Sequence, residues 1–151
     1  MSELRELYQQ VILDHNKNPR NFGRPEETNR EQQGHNPLCG DELQIYLYVD
    51  DDEIIQDIGF EGSGCAISKA SASLMTDALK GKPAEAAKDL FERFHQVVTG
   101  DADTTVDDAD IGKLVVFAGV RGFPMRVKCA TLAWHTMRSA LDNDQTPVTT
   151  E

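Results

Sequence analysis

From residue 43 onward the spacing of apolar residues changes period once, near residue 65, and that change restricts the chain to few architectures. Leu43, Ile45, Leu47 and Val49 alternate with Gln44, Tyr46 and Tyr48, the two-residue period of a strand with one buried face. Asp50-Asp51-Asp52-Glu53 reads as a turn and 54–60 as a second strand, so residues 43–60 predict an antiparallel hairpin. Gly59, Gly62 and Gly64 loosen the chain, and from Ala66 the period becomes helical. Ile67, Ser71, Leu74, Met75 and Ala78 share one face, and Gly81 stops that helix. Pro83 suits the first turn of a further helix with Ala87, Leu90, Phe91, Phe94 and Val98 on its face, ended by Gly100. An apolar segment spans 111–120, and Pro124 opens a last helix running to about Leu141.

Ahead of the hairpin, Leu4, Leu7, Tyr8, Val11 and Ile12 predict a helix over 4–15 that ends near Asn16, before Pro19. Residues 16–38 hold three of the six prolines among many polar residues and read as an extended loop. The polar tail after about 142 reads as frayed. The fold class expected is α+β: a small antiparallel sheet, the hairpin 43–60 with a third strand allowed for, packed against several helices. At 151 residues the chain suits one domain, 1–151, with its own core.

Net charge is 15 minus 26, or −11. Such a surface repels nucleic acid and anionic lipid. It suits a basic patch on a partner protein, or it serves solubility alone. No apolar run approaches the roughly 18 residues of a membrane span. Met1-Ser2-Glu3 leads straight into a charged amphipathic segment without a signal-peptide pattern. Three cysteines, an odd number and widely spaced, argue against a disulfide framework and for a reducing, cytoplasmic setting.

Those cysteines sit in unusual surroundings: Asn36-Pro37-Leu38-Cys39-Gly40-Asp41, Gly62-Ser63-Gly64-Cys65-Ala66-Ile67-Ser68, and Arg126-Val127-Lys128-Cys129-Ala130-Thr131-Leu132. Cys39 and Asp41 are two apart in extended chain, so both side chains can address one ion. Cys65 stands where a Gly-rich turn meets a helix start, which favours a thiolate. Cys129 falls in the second turn of the last helix, beside Arg126 and Lys128. Thiolates and a carboxylate suit zinc or iron in a tetrahedral site. Spacing alone leaves two readings open, because three buried structural thiols fit it as well as a shared metal site does.

The local motifs go further. Leu7-Tyr8, Asp14-His15, Asn18-Pro19-Arg20-Asn21-Phe22-Gly23, the two motifs around Cys39 and Cys65, and Lys128-Cys129-Ala130-Thr131-Leu132-Ala133-Trp134 together resemble the U-type iron–sulfur cluster assembly family, the IscU/NifU/SufU proteins. The resemblance runs from about Leu4 to Leu141 and is nearest to the SufU branch. Lys128 stands where the IscU branch has His. Gly122-Phe123-Pro124-Met125-Arg126 stands where that branch has a Leu-Pro-Pro-Val-Lys stretch recognised by a chaperone. The 63 residues from 66 to 128 between the second and third cysteines are a longer connection than in IscU.

The resemblance implies a SufE/NifU-like fold and a zinc ion held by Cys39, Asp41, Cys65 and Cys129. It implies sulfur transfer from the persulfide of a PLP-dependent cysteine desulfurase of the SufS type, and onward to downstream Suf cluster-assembly proteins. In this picture a desulfurase histidine takes a position on zinc and frees Cys39 as the catalytic nucleophile, with Arg126 stabilising thiolate or persulfide. Lys128 is a lesser candidate. The alternative from another class is a scaffold assembling a [2Fe–2S] cluster, or holding iron, on the same residues.

Other residues suggest less. His135 lies six residues, about 600° of helix, past Cys129 and points away from it. His35 is a spare ligand candidate. His15 and His95 suggest no chemistry. Asp101, Asp103, Asp107, Asp108 and Asp110 resemble a calcium loop, but Val106 and Gly112 occupy the places that need Gly and Glu, so a solvated acidic loop is expected. Trp134 and the apolar runs at 74–75 and 114–117 read as core.

Overall fold

The computed structural model describes residues 2–37, 39–100, 111–121, 123–143 and 147–149, with side chains from residue 6 onward. The Asp-rich segment 101–110, the side chain of Leu4, and residues Leu38 and Gly122 lie outside the described residues. In chain order the elements are α1 (Ser2–Lys17), β1 (Arg30–Asn36), β2 (Asp41–Val49), β3 (Ile55–Ser63), α2 (Ala66–Leu79), α3 (Ala84–Thr99), a 3₁₀ helix (Gly112–Val120), α4 (Pro124–Leu141) and β4 (Val148–Thr149).

The expected hairpin is β2–β3, with Ile45 opposite Phe60 and Leu47 opposite Ile58. Asp50 builds its turn by accepting from the N–H groups of Asp52 and Ile54, both at 2.9 Å. Two expectations need correction. The segment 16–38 is not loop throughout, because 30–36 form β1, antiparallel to β2 with Gln32 opposite Ile45. The tail after 142 also contributes β4, which runs parallel to β1 with Gly34 opposite Val148. The sheet is therefore mixed, in the order β3-β2-β1-β4, rather than purely antiparallel.

The sequence of β1, Arg-Glu-Gln-Gln-Gly-His-Asn, has no apolar alternation, yet Gln32, Gly34 and Asn36 are buried. Gln32 Nε2 donates to Ser139 Oγ at 3.1 Å. A Cβ at Gly34 would collide with Thr136 Oγ1 of α4, so the missing side chain is what lets β1 lie on that helix.

Leu43, Ile45, Leu47, Ile58 and Phe60 form the apolar face of the sheet, in one buried cluster with residues of all the later helices. Trp134 is fully buried, stacked on Phe94 at 4.7 Å between ring centroids. Small residues Ala70, Ser71, Ala72 and Ser73 bury α2 on most of its circumference, where it packs against both α1 and α4. On α1, Tyr8, Val11 and Ile12 pack on the core, whereas Leu7, expected on that face, is 55% exposed. Among the described residues no helix is long and apolar enough to cross a membrane.

His15, in the last turn of α1, is buried with Nδ1 at 2.7 Å from Ser73 Oγ. Burial lowers its pKa below the ordinary histidine value, and the charge of Arg20 adds to the effect. Above about pH 6.5 both folded and unfolded chains hold it neutral. As pH falls below that, the unfolded chain takes up a proton that the folded chain refuses, so stability declines until the folded pKa is passed. The urea midpoint of the wild type is therefore expected to fall more steeply than that of His15→Gln between about pH 7 and pH 5.5. Parallel slopes would rule His15 out as the source.

Candidate metal and sulfur site

Three separate elements converge at one end of the sheet. Strand β1 ends at Asn36, and a turn closed by the Cys39 N–H donating to the Asn36 carbonyl (3.3 Å) carries Cys39. Gly40 follows with φ 71°, a conformation that favours glycine, and Asp41 opens β2 opposite Asn36. Cys65 is the N-cap of α2, and its sulfur accepts the Ser68 N–H at 3.4 Å. Cys129 lies on α4, 2% exposed.

Asp41 ties these parts together. It is fully buried, and its Oδ1 accepts the Cys65 N–H at 2.8 Å. Asn36 Nδ2 lies 3.5 Å from Asp41 Oδ2 and 3.6 Å from Cys129 Sγ. The ligand atoms of Cys39, Asp41 and Cys129 all fall within 4.8 Å of one another. Cys65 is outside that trio but adjoins it, through the Asp41 bond and through contact of its thiol with that of Cys129. That contact holds the Cys65 thiol down to about 7 against the opposing effect of burial. Cys129 is pushed the other way, by Cys65 first, then by burial, Asp41 and Cys39.

A tetrahedral zinc ion places its ligand atoms about 3.3–3.8 Å apart, from Zn–O near 2.0 Å and Zn–S near 2.3 Å. The trio thus has the donor chemistry and close to the size for one such ion, with a third thiol beside it.

The other expected residues are placed as follows. Arg126 is exposed in the first turn of α4, one turn before Cys129, with its guanidinium carbon 4.6 Å from the centre of the Phe123 ring. Lys128 lines a different, shallow cleft with His95 and His135, around the helix from Cys129. His135 packs edge-on against Phe91, as its rotation from Cys129 implies. His35 lies 4.0 Å from Glu42 across the strands and is not in the trio.

Sequence reasoning gave no role to Asn36 or Ser68. Neither had a signal in the chain, because Asn36 comes to face Asp41 only through the pairing of β1 with β2. Gly64 is the other residue that matters here, for closeness rather than for dihedral angle. A Cβ there would stand 2.6 Å from Asp41 Oδ1. Gly64→Ala is therefore expected to push the carboxylate off the Cys65 N–H and cost about 1–3 kcal/mol, with reduced bound metal. Thermal unfolding and metal content check this, and unchanged values in both would show that the carboxylate has room to move.

Residues 7–130 match the family model of the NifU-like N-terminal domain. The zinc-dependent sulfurtransferase SufU of Bacillus subtilis (strain 168) is 41% identical over 139 residues, 92% of each chain. The iron–sulfur cluster assembly scaffold protein IscU of Streptococcus pyogenes serotype M1 is 40% identical over 141 residues, 93% of this chain and 86% of that one. A crystal structure from Fervidobacterium islandicum AW-1, described as a candidate iron–sulfur cluster assembly scaffold protein for the SUF system, superposes with TM-score 0.79 at 34% identity, covering 87% of this chain and 94% of that one. The chain belongs to the NifU-like N-terminal domain family, the IscU/NifU/SufU group, on its SufU-like side.

Proposed function

We propose that the chain is a zinc-dependent sulfurtransferase of iron–sulfur cluster assembly, which accepts sulfur on Cys39 from the persulfide of a PLP-dependent cysteine desulfurase of the SufS type. The observation that carries this reading is the unequal burial of two thiols grouped with one carboxylate. Cys129 is 2% exposed, whereas Cys39 is only half-buried on its turn. A buried thiol serves as an anchor, and a reachable one serves as a nucleophile. Cys39, Asp41, Cys65 and Cys129 would hold zinc, which when bound keeps thiols deprotonated at neutral pH.

The Cys39 thiolate attacks the terminal sulfur of the donor persulfide. A sulfur–sulfur bond forms at Cys39 and the donor's own sulfur–sulfur bond breaks. The electron pair leaves on the donor cysteine sulfur, and the transferred sulfur keeps its proton. Asp41, fixed by the Cys65 N–H, sets the end of the turn that carries Cys39. Arg126, exposed one turn before Cys129, supplies positive charge for the thiolate or for the persulfide that replaces it. Downstream cluster-assembly proteins then take the sulfur from Cys39. A net charge of −11 suits a donor with a basic surface.

The scaffold name of the Streptococcus pyogenes relative, at 40% identity, supports a second reading in which the same donors hold iron and a [2Fe–2S] cluster. Protein purified without oxygen separates the two. About one zinc per chain, no labile sulfide, and a persulfide on Cys39 after addition of desulfurase and cysteine are expected. Iron with a visible-absorbing cluster, and no Cys39 persulfide, would overturn the sulfurtransferase in favour of the scaffold.

A further inference from the structure

Ser68 is fully buried, and its hydroxyl has no hydrogen-bond partner among the described residues. Native structures seldom leave such a group alone without a reason. Ser68 is the third residue of α2, after the N-cap Cys65. At that position a Glu or Gln side chain commonly reaches back to the N-cap N–H. Here that N–H is already taken, because Asp41 Oδ1 accepts it at 2.8 Å. The N-cap N–H is thus not open to the serine as a partner.

The position of Ser68 indicates what its hydroxyl serves instead. Its own N–H points at the Cys65 sulfur, 3.4 Å away. Ser71, one turn further along the same face, donates its hydroxyl to the carbonyl of Ala130, the residue after Cys129. Ser68 therefore lies at the seam between α2 and α4, where the thiols of Cys65 and Cys129 meet. A neutral thiol is a poor acceptor, and a thiolate is a strong one. Three thiolates and a carboxylate around a divalent ion carry an excess charge of 2 minus 4, or −2, which a nearby donor offsets.

We infer that Ser68 is a positioning residue for the metal centre, its hydroxyl donating a hydrogen bond to a thiolate of the Cys65–Cys129 pair when an ion holds that pair deprotonated. This rests on the zinc reading above.

The full chain tests it by competition for zinc against a chromophoric chelator, with thermal unfolding of the metal-free proteins alongside. Ser68→Ala is expected to weaken zinc binding about tenfold or more, the scale of losing an outer hydrogen bond to a ligand. The metal-free variant is expected to be at least as stable as the wild type, because a partnerless buried hydroxyl has been removed. Ser71→Ala, which breaks a made bond, is expected to do the reverse and lower stability with zinc affinity kept. With cobalt in place of zinc, Ser68→Ala is also expected to shift the sulfur-to-metal charge-transfer band. Unchanged zinc affinity in Ser68→Ala overturns the inference alone. So does a metal-free Ser68→Ala that is destabilised or unfolded, since the serine would then be structural. A wild type that binds no zinc overturns the reading beneath it as well.

Discussion

Cys39→Ala is expected to abolish persulfide formation on this chain and to cut its stimulation of the desulfurase to background, at least about a hundredfold, as the loss of a covalent nucleophile implies. The fold is expected to survive. Cys39 sits half-buried on a turn, not in the apolar cluster, so truncation costs roughly 1 kcal/mol or less. Zinc binding is expected to weaken without vanishing, because Asp41, Cys65 and Cys129 are untouched. The measurement is desulfurase turnover with cysteine, together with mass detection of the added sulfur. Stimulation equal to the wild type would remove Cys39 from the acceptor role.

Asp41→Ala is expected to lose zinc and stability together. The carboxylate is fully buried and takes the Cys65 N–H, with the Asn36 amide beside it. Leaving a buried donor unpartnered costs about 1–3 kcal/mol. Removing a buried carboxylate also removes its own desolvation penalty, which offsets part of the loss. A net cost of about 2 kcal/mol corresponds to a fall of roughly 4–8 °C in melting temperature for a chain of this size. Asp41→Asn separates the two effects. It keeps an oxygen for the Cys65 N–H, so most of the stability returns, but it lacks the charge that a hard ligand oxygen brings. Full zinc occupancy in Asp41→Asn would show that the carboxylate is not a ligand.

The hairpin, α2 and α3 were legible because their apolar residues keep regular periods, and α4 because Pro124 marks its start; the 3₁₀ helix showed only as an apolar segment. Ile45 and Leu47 are buried on β2, and Phe91, Phe94 and Val98 are buried on α3. Strand β1 was not legible, for a physical reason. Its inward positions are Gln32, Gly34 and Asn36, buried by hydrogen bonds and by close approach to α4 rather than by apolar area. No periodicity of hydrophobicity can register such a strand. Leu7 misled in the opposite sense, since an apolar residue at helical spacing need not face the core.

At the site, the turn glycines and the acid two after Cys39 pointed to chemistry, and Asp41 and Cys129 do gather around Cys39 within 4.8 Å. The bond from the Cys65 N–H to Asp41 could not be read from the chain, because it joins a helix cap to a strand start 24 residues away. The lone hydroxyl of Ser68 was hidden with it.

Each margin of the sheet is partly covered by the chain itself. On one side, β4 sits along β1 at Gly34 and His35. On the other, the segment around Phe22 bridges to Phe60 of β3, and the carbonyl of Lys82 takes the Ile55 N–H. Bare strand edges invite other chains to pair with them, in recognition and in aggregation alike. Here part of the row of free backbone groups on each margin is already spent. A partner is thus expected to meet this molecule through side chains around the sulfur, docking side-on, rather than by adding a strand to its sheet.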